Sequence, residues 1–319
     1  LTLTADTGAP TPGGRTQDGS DGDMLLAAGP RPGLGGRLLR LPVLGLLPFG
    51  IYTLVFLGLP LVAVLVGAFE RSGGGFTFSN ISAATSGIYR HGFEETLELA
   101  ALTSIVPGIF GLFIAQAIDR SPQGGLLRRL TTTASGVFAN FGGVPLAFLF
   151  IEALGSPRVG LVTDFLDDLG FHIYDHGFSL FTLWGVAIAY LYFQIPLMVL
   201  VITPALQGLR PAWREASDNL GASSWEYWRT IGGPVLLPSI LGGVLLLFGS
   251  AMSAYATADA MTDGAVPLTS IQIGSFLNGN VIAGQENVGK ALGLGLVVII
   301  LIAMIAYSLL QRRVSKWLR

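Results

Sequence analysis

The chain is 319 residues long, 51% hydrophobic and only 12% charged, with a formal net charge of −2 and a mean hydropathy of +0.63. A soluble domain carries about 25% charged residues, so this chain cannot dress a water-facing surface, and a bilayer is the expected solvent for most of it. There is no basic face for nucleic acid, and the absence of cysteine removes disulfides, thiolate nucleophiles and cysteine-held zinc or iron–sulfur centres.

Residues 1–36 are rich in Gly, Pro, Asp and Thr without an apolar period. They read as a disordered cytoplasmic N-terminal tail, because such a segment cannot bury enough surface to offset its ordering entropy. Residues 37–319 form the membrane domain. Six apolar stretches follow the tail, at about Leu41–Phe69, Thr96–Ile118, Ala134–Leu154, Leu180–Ile202, Val235–Ala258 and Ala291–Leu310. Each approaches the ~20 residues that a helix needs to cross a hydrocarbon core of ~30 Å. Pro60, Pro107, Gly142, Gly143, Pro145 and Pro196 fall inside these stretches. Lipid-embedded helices tolerate such residues where neighbours re-satisfy the backbone.

Arg15, Arg31, Arg37 and Arg40 precede the first stretch. Arg120, Arg128 and Arg129 join the second and third, Arg210, Arg214 and Arg229 join the fourth and fifth, and Arg312, Arg313, Lys316 and Arg319 follow the sixth. The positive-inside rule then places both termini and the 203–233 loop in the cytoplasm. The opposite loops hold Glu94, Glu95, Asp164, Asp167, Asp168 and Asp175. His172 and His176 are spaced i, i+4 in a Gly/Asp-rich stretch and His91 lies apart. Without a supporting third ligand this pair reads as a solvated loop, and no metal site is expected.

The 203–233 loop is the most informative stretch. Pro211 suits the first turn of a helix, Ala212, Ala216 and Leu220 recur at i, i+4, and Gly221 stands where that helix would stop. Ser223 or Ser224 can cap a second short helix carrying Trp225 and Trp228, and Pro234 begins the return into the membrane.

Glu215-Ala216-Ser217, then Gly221, Ile231 and Pro234 resemble the EAA motif of permeases of ATP-binding-cassette importers, with Ser217 where the family usually has Ala and Gly233 where Leu often precedes the proline. The resemblance implies an all-α membrane protein of about six transmembrane helices with the type I ABC importer permease (MetI-like) fold. It makes Pro211, Ala212, Trp213, Arg214, Glu215, Ala216, Ser217, Leu220 and Gly221 a cytoplasmic coupling helix between spans 4 and 5. TLVFLGLPLVAVLVGAF in the first span and ETLELAALTSIVPGIFGLFIAQAI in the second are similar to the spermidine/putrescine permease branch, with Glu95 in place of Asn.

The implied protein is a multi-pass subunit of a bacterial plasma (inner) membrane importer. It works with two ABC ATPase subunits, a second permease subunit, favoured as a different chain, and an extracytoplasmic solute-binding protein. The only lysines are Lys290, before Ala291, and Lys316, before Trp317, so no GxxxxGK[ST] phosphate loop is present. The chain is therefore expected to be non-catalytic and to bind no cofactor, with ATP and Mg carried by the partner ATPases.

Polar groups inside spans are costly and mark candidate pathways. Asn140, Glu152, Tyr190, Gln194, Tyr255 and Asp259 qualify by depth, and the carboxylates of Glu152 and Asp259 favour a cationic, polyamine-like solute. The competing reading is a self-sufficient secondary transporter, which needs inverted repeats that the sequence does not display.

Overall fold

The computed structural model describes residues 41–71, 73–122, 125–279, 285 and 287–317, with side chains excepted at 41–45, 176 and 314–317. The tail expected over 1–36 lies outside them. The described residues are helical, apart from turns and one isolated antiparallel bridge between Glu70 and Phe76. The chain divides into two compact units, Leu1–Leu57 and Gly58–Arg319.

In the first unit, α1 (Leu41–Thr53) contains Pro48 and runs into a π turn at Leu54–Gly58. The rings of Tyr52 and Phe56 lie 4.8 Å apart there. Pro60 lies within the first turn of α2 (Leu59–Ala68), where its missing N–H is no loss.

The second unit continues from α2 through α3 (Ser79–Ala84) to α4 (Gly87–Asp119). Buried Asn80 of α3 donates to the carbonyls of Ala68 (3.2 Å) and Glu70 (2.9 Å), closing the carbonyl groups left open at the end of α2. At 33 residues, α4 is about 50 Å long. Then come α5 (Leu126–Phe138), α6 (Val144–Leu154), the surface helix α7 (Leu161–Asp168) and α8 (Leu183–Gln207). The cytoplasmic-loop candidates are α9 (Pro211–Asn219) and α10 (Ser224–Tyr227). A π turn at Trp228–Gly232 leads without interruption into α11 (Gly233–Ser253). The short α12 (Ala256–Thr262) and α13 (Thr269–Leu277) precede α14 (Val288–Trp317).

Among the described residues, five helical stretches are long and apolar enough to cross a membrane: Leu46–Ala68, Gly87–Asp119, Leu183–Gln207, Ser224–Ser253 and Val288–Arg313. The third expected span, Ala134–Leu154, is not one helix. It breaks between α5 and α6, where Gly143 adopts φ +75°, a conformation open to glycine. The 11-residue α6 is only about 16 Å long, half of a hydrocarbon core. The fifth stretch, expected to run to Ala258, also breaks. It ends at Ser253, Ala254 is extended, and α12 begins at Ala256.

α4, α8 and α11 pack around the main core, which holds Leu99, Tyr190, Phe193, Ala251 and Met252, joined by Leu146 and Phe150 of α6. Small residues bring the helices close, as expected where packing rather than exclusion of water drives association. A β-carbon on Gly111 of α4 would fall 2.6 Å from Met198 Cβ of α8, and one on Gly108 would fall 2.7 Å from Val244 of α11. The large exposed side chains along residues 105–114 of α4 and 297–310 of α14 are Ile, Phe, Val, Leu and Met, the inverse of a soluble surface.

Candidate functional site

α9 is set by local sequence. Arg210 is extended, Pro211 opens the helix, and Gly221 closes it at φ +76°. The Gly221 N–H donates to Asp218 O (3.0 Å) and the Ala222 N–H to Ser217 O (3.1 Å). These two bonds form a Schellman motif, which satisfies the last carbonyls. Of the two candidate caps for α10, Ser223 acts. Its hydroxyl accepts from the Glu226 N–H (3.3 Å) while Glu226 accepts from the Ser223 N–H (2.7 Å), a reciprocal capping box.

One face of α9 is turned inward. Ser217 is buried, and Trp213 and Arg214 are half-buried. The opposite face presents Pro211, Ala212, Glu215, Ala216 and Leu220 to solvent, followed by Gly221. Leu220 is 87% exposed, and Trp225 on α10 is 73% exposed. A small, apolar stripe at Ala212, Ala216 and Leu220, flanked by the Glu215 carboxylate, is thus held outward on a capped helix. Behind it lies a cleft of about 520 Å³. Its walls are the C-terminal ends of α4 (Asp119, Arg120) and α8 (Leu206) with Arg210, Arg214 and Tyr227.

Sequence reasoning placed Arg214 in the helix but missed what it holds. Its Nε donates to the Asp218 carboxylate at 3.1 Å, its Nη2 donates to Ser224 Oγ at 2.8 Å, and the guanidinium lies 5.0 Å from the centroid of the Tyr227 ring. The i, i+4 spacing to Asp218 was visible; the reach to α10 depends on a turn whose geometry the sequence does not print.

The six candidate pathway residues do not form one cluster. Asn140 is exposed at the α5–α6 break, with its side-chain N–H donating to Gly136 O (2.9 Å), and Glu152 is exposed on α6. Tyr255 is half-buried at the start of α12, one turn before the half-buried Asp259. Tyr190 and Gln194 face the interior and are fully buried. The Tyr190 hydroxyl donates to Ala254 O at 2.7 Å. Gln194 approaches Thr103 Oγ1 at 3.4 Å, and its Oε1 finds no donor among the described residues.

The two helix breaks are joined by a residue that sequence reasoning passed over. Thr257 Oγ1 of α12 accepts from the Gly143 N–H at 2.8 Å. Ser270 Oγ reaches Ala254 O at 3.2 Å, beside the Tyr190 hydroxyl. Non-helical backbone at membrane depth persists only where protein satisfies it or where it lines a cavity, and these hydroxyls supply the first condition. Elsewhere, His91 Nε2 lies 3.0 Å from Glu95 and His172 Nδ1 lies 3.3 Å from Asp167. Among the described residues no three such groups converge as a metal site.

Residues 108–319, well over half of the chain, match the family described as binding-protein-dependent transport system inner membrane component. A probable sulfate transport system permease protein cysT of Mesostigma viride is 33% identical over 209 residues, covering 64% of this chain and 71% of the relative. The sulfate transport system permease protein CysT of Escherichia coli (strain K12) is 28% identical over 165 residues, covering 51% of this chain and 55% of the relative. Among solved structures, a chain of a bacterial alginate ABC transporter in complex with alginate pentasaccharide-bound periplasmic protein superposes with a TM-score of 0.69 at 19% identity, covering 89% of this chain and 98% of the other. At that identity the likeness is one of fold. The match over 108–319 and the Mesostigma relative together establish that the chain belongs to the family of binding-protein-dependent inner membrane components, as a multi-pass, non-catalytic subunit with the type I ABC importer permease fold.

Proposed function

We propose that this chain forms half of the translocation pathway of an importer for a small oxyanion of the sulfate class, and that α9 is the element on which a partner ATPase acts. The observation that carries the coupling role is the outward stripe of Ala212, Ala216 and Leu220 beside Glu215, on a helix begun at Pro211 and closed at Gly221 by its own sequence. Small side chains let a partner's backbone approach closely, and Leu220 is left 87% exposed by the described residues. In this reading ATP and Mg sit on two partner ATPases, a second permease subunit supplies the other half of the pathway, and an extracytoplasmic binding protein delivers solute. Both chain termini face the cytoplasm.

The solute class is supported by the curated relatives, which are named as sulfate permeases; the polyamine expectation finds no such support. Physical chemistry agrees. α6 begins at the break beside Asn140, so its N-terminal partial positive charge lies at the discontinuity, a device that suits an anion. Asn140, Glu152, Tyr255 and Asp259 border the proposed pathway, while Tyr190 and Gln194 support it from within.

The test uses the assembled transporter in proteoliposomes. With ATP inside, radiolabelled sulfate is expected to accumulate and spermidine is not, and Ala216→Cys, in a chain with no other cysteine, is expected to cross-link to the ATPase. Spermidine uptake would overturn the solute class. Sulfate uptake by the chain alone without ATP, or the lack of any cross-link, would overturn the coupling role.

A further inference from the structure

We infer that Arg214 is a positioning residue that fastens the coupling helix to the membrane-crossing rod behind it, so that a push on α9 arrives as a displacement of α11. The inference rests on the coupling role proposed for α9. The covalent link between α9 and α10 is short, Leu220 to Ser223, with Gly221 at φ +76° and nothing within 4 Å of where its β-carbon would be. The Schellman bonds at Gly221 and Ala222 close the end of α9 but reach no residue of α10. A helix held by that link alone would pivot when pushed.

Arg214 removes the pivot. Its Nε bond to Asp218, one turn along the same helix, fixes the direction of the side chain. Its Nη2 then bonds Ser224 Oγ at the first turn of α10, and its flat face covers the ring of Tyr227, itself buried and in edge contact with Trp228. A planar guanidinium can donate in two directions and stack at once; an ammonium cannot. From α10 onward there is no break, since Ser224–Ser253 is one 30-residue helical stretch through the π turn at Trp228–Gly232. A push on Ala216 is therefore delivered along α11 to Ala254, the point where the rod ends.

Arg214→Ala and Arg214→Lys in the full transporter test this. Spin labels on Asn219→Cys and Arg229→Cys, both exposed, report the distance between α9 and the rod. The unsubstituted Arg214 should give one narrow distance. Arg214→Ala should broaden it and lower solute imported per ATP hydrolysed by fivefold or more, with ATP hydrolysis itself retained. Arg214→Lys, which keeps the charge but not the fork, should fall between. Should Arg214→Ala not assemble, the lysine variant decides by the same two readings. An unchanged distance and an unchanged transport-to-hydrolysis ratio, with Ala216→Cys still cross-linking to the ATPase, would overturn this inference alone. Failure of that cross-link in the chain that keeps Arg214 would overturn the coupling role, and this inference with it.

Discussion

Replacing Thr257 by valine isolates the bond that joins the two helix breaks. Valine keeps the branched shape and deletes the hydroxyl. The Gly143 N–H then loses its 2.8 Å acceptor. The Gly143 carbonyl, 3.3 Å from the same hydroxyl, keeps its bond from the Ala147 N–H at 3.2 Å. One donor is orphaned, not a donor and an acceptor. An unsatisfied buried group costs about 1–3 kcal/mol, and since Gly143 is only partly buried the lower part of that range, about 1–2 kcal/mol, applies. Each kcal/mol moves Tm by roughly 2–4 °C in domains of 150–250 residues, so a fall of about 2–8 °C is expected. Thr257→Ser keeps the hydroxyl and should stay within about 2 °C of the parent. The assay is a thermal scan of the detergent-solubilised protein by tryptophan fluorescence at one scan rate. If Thr257→Val melted with the parent, or serine were as damaging as valine, the hydroxyl bridge would not be what holds the breaks together.

Two further outcomes are expected from the same protein. Gly111→Ala sets a β-carbon 2.6 Å from Met198 Cβ and 3.1 Å from Ile195 O, neither of which can rotate away; overpacking of about 1–3 kcal/mol should outweigh the ~1 kcal/mol that alanine gains over glycine in a helix. At Gly243 the neighbour is the flexible Met198 sulfur at 2.8 Å, so Gly243→Ala should melt above Gly111→Ala, and equal Tm values would refute the distinction. In the loop between α7 and α8, burial pushes the Tyr174 phenol above its ordinary value of 10.0, against a smaller downward pull from the Leu180 backbone bond. Its hydroxyl donates to Leu154 O at 2.7 Å. Because the folded-state pKa is the higher one, this stabilisation is whole below about pH 10 and is lost as pH climbs through the raised value. Tyr174→Phe should flatten that alkaline decline, and an alkaline profile identical to the parent's would contradict the assignment.

The parts of the fold legible in the sequence are those fixed within one turn of chain. Pro211, the Ala212–Ala216–Leu220 spacing and Gly221 dictate α9 from neighbours at most a few residues away, and the structure puts the helix at Pro211–Asn219. The breaks were not legible. Ala134–Leu154 has the length and apolarity of a span, and Gly142 and Gly143 read as residues that a lipid-embedded helix tolerates, because hydropathy carries no record of φ. What stabilises the breaks lies far off along the chain. Gly143 is completed by Thr257, 114 residues on, and Ala254 by Tyr190, 64 residues back. Polarity at depth singles out Tyr190 in the sequence, and the structure shows its hydroxyl spent on the backbone carbonyl of Ala254.

The long-range hydroxyl bonds also determine where movement of α11 can be absorbed. Beyond the rod, α12 is tied to the α5–α6 break through Thr257, and α13 is tied to α4 through Thr96, whose hydroxyl accepts from the Thr269 N–H at 2.9 Å. Neither tie involves α11. Ala254 itself has left the helix, at φ −72° and ψ 111°, and holds its place by accepting from Tyr190 and Ser270. A shift of α11 relative to α12 therefore breaks no α-helical bond across this joint. At the joint itself it strains only two hydroxyl contacts worth about 1 kcal/mol each, while α11 stays packed through Ala251 and Met252 on the core that it shares with α4 and α8. The joint at Ala254–Tyr255, where α11 ends and before α12 begins, is where the displacement proposed for α11 would be absorbed, beside the polar residues proposed to border the pathway.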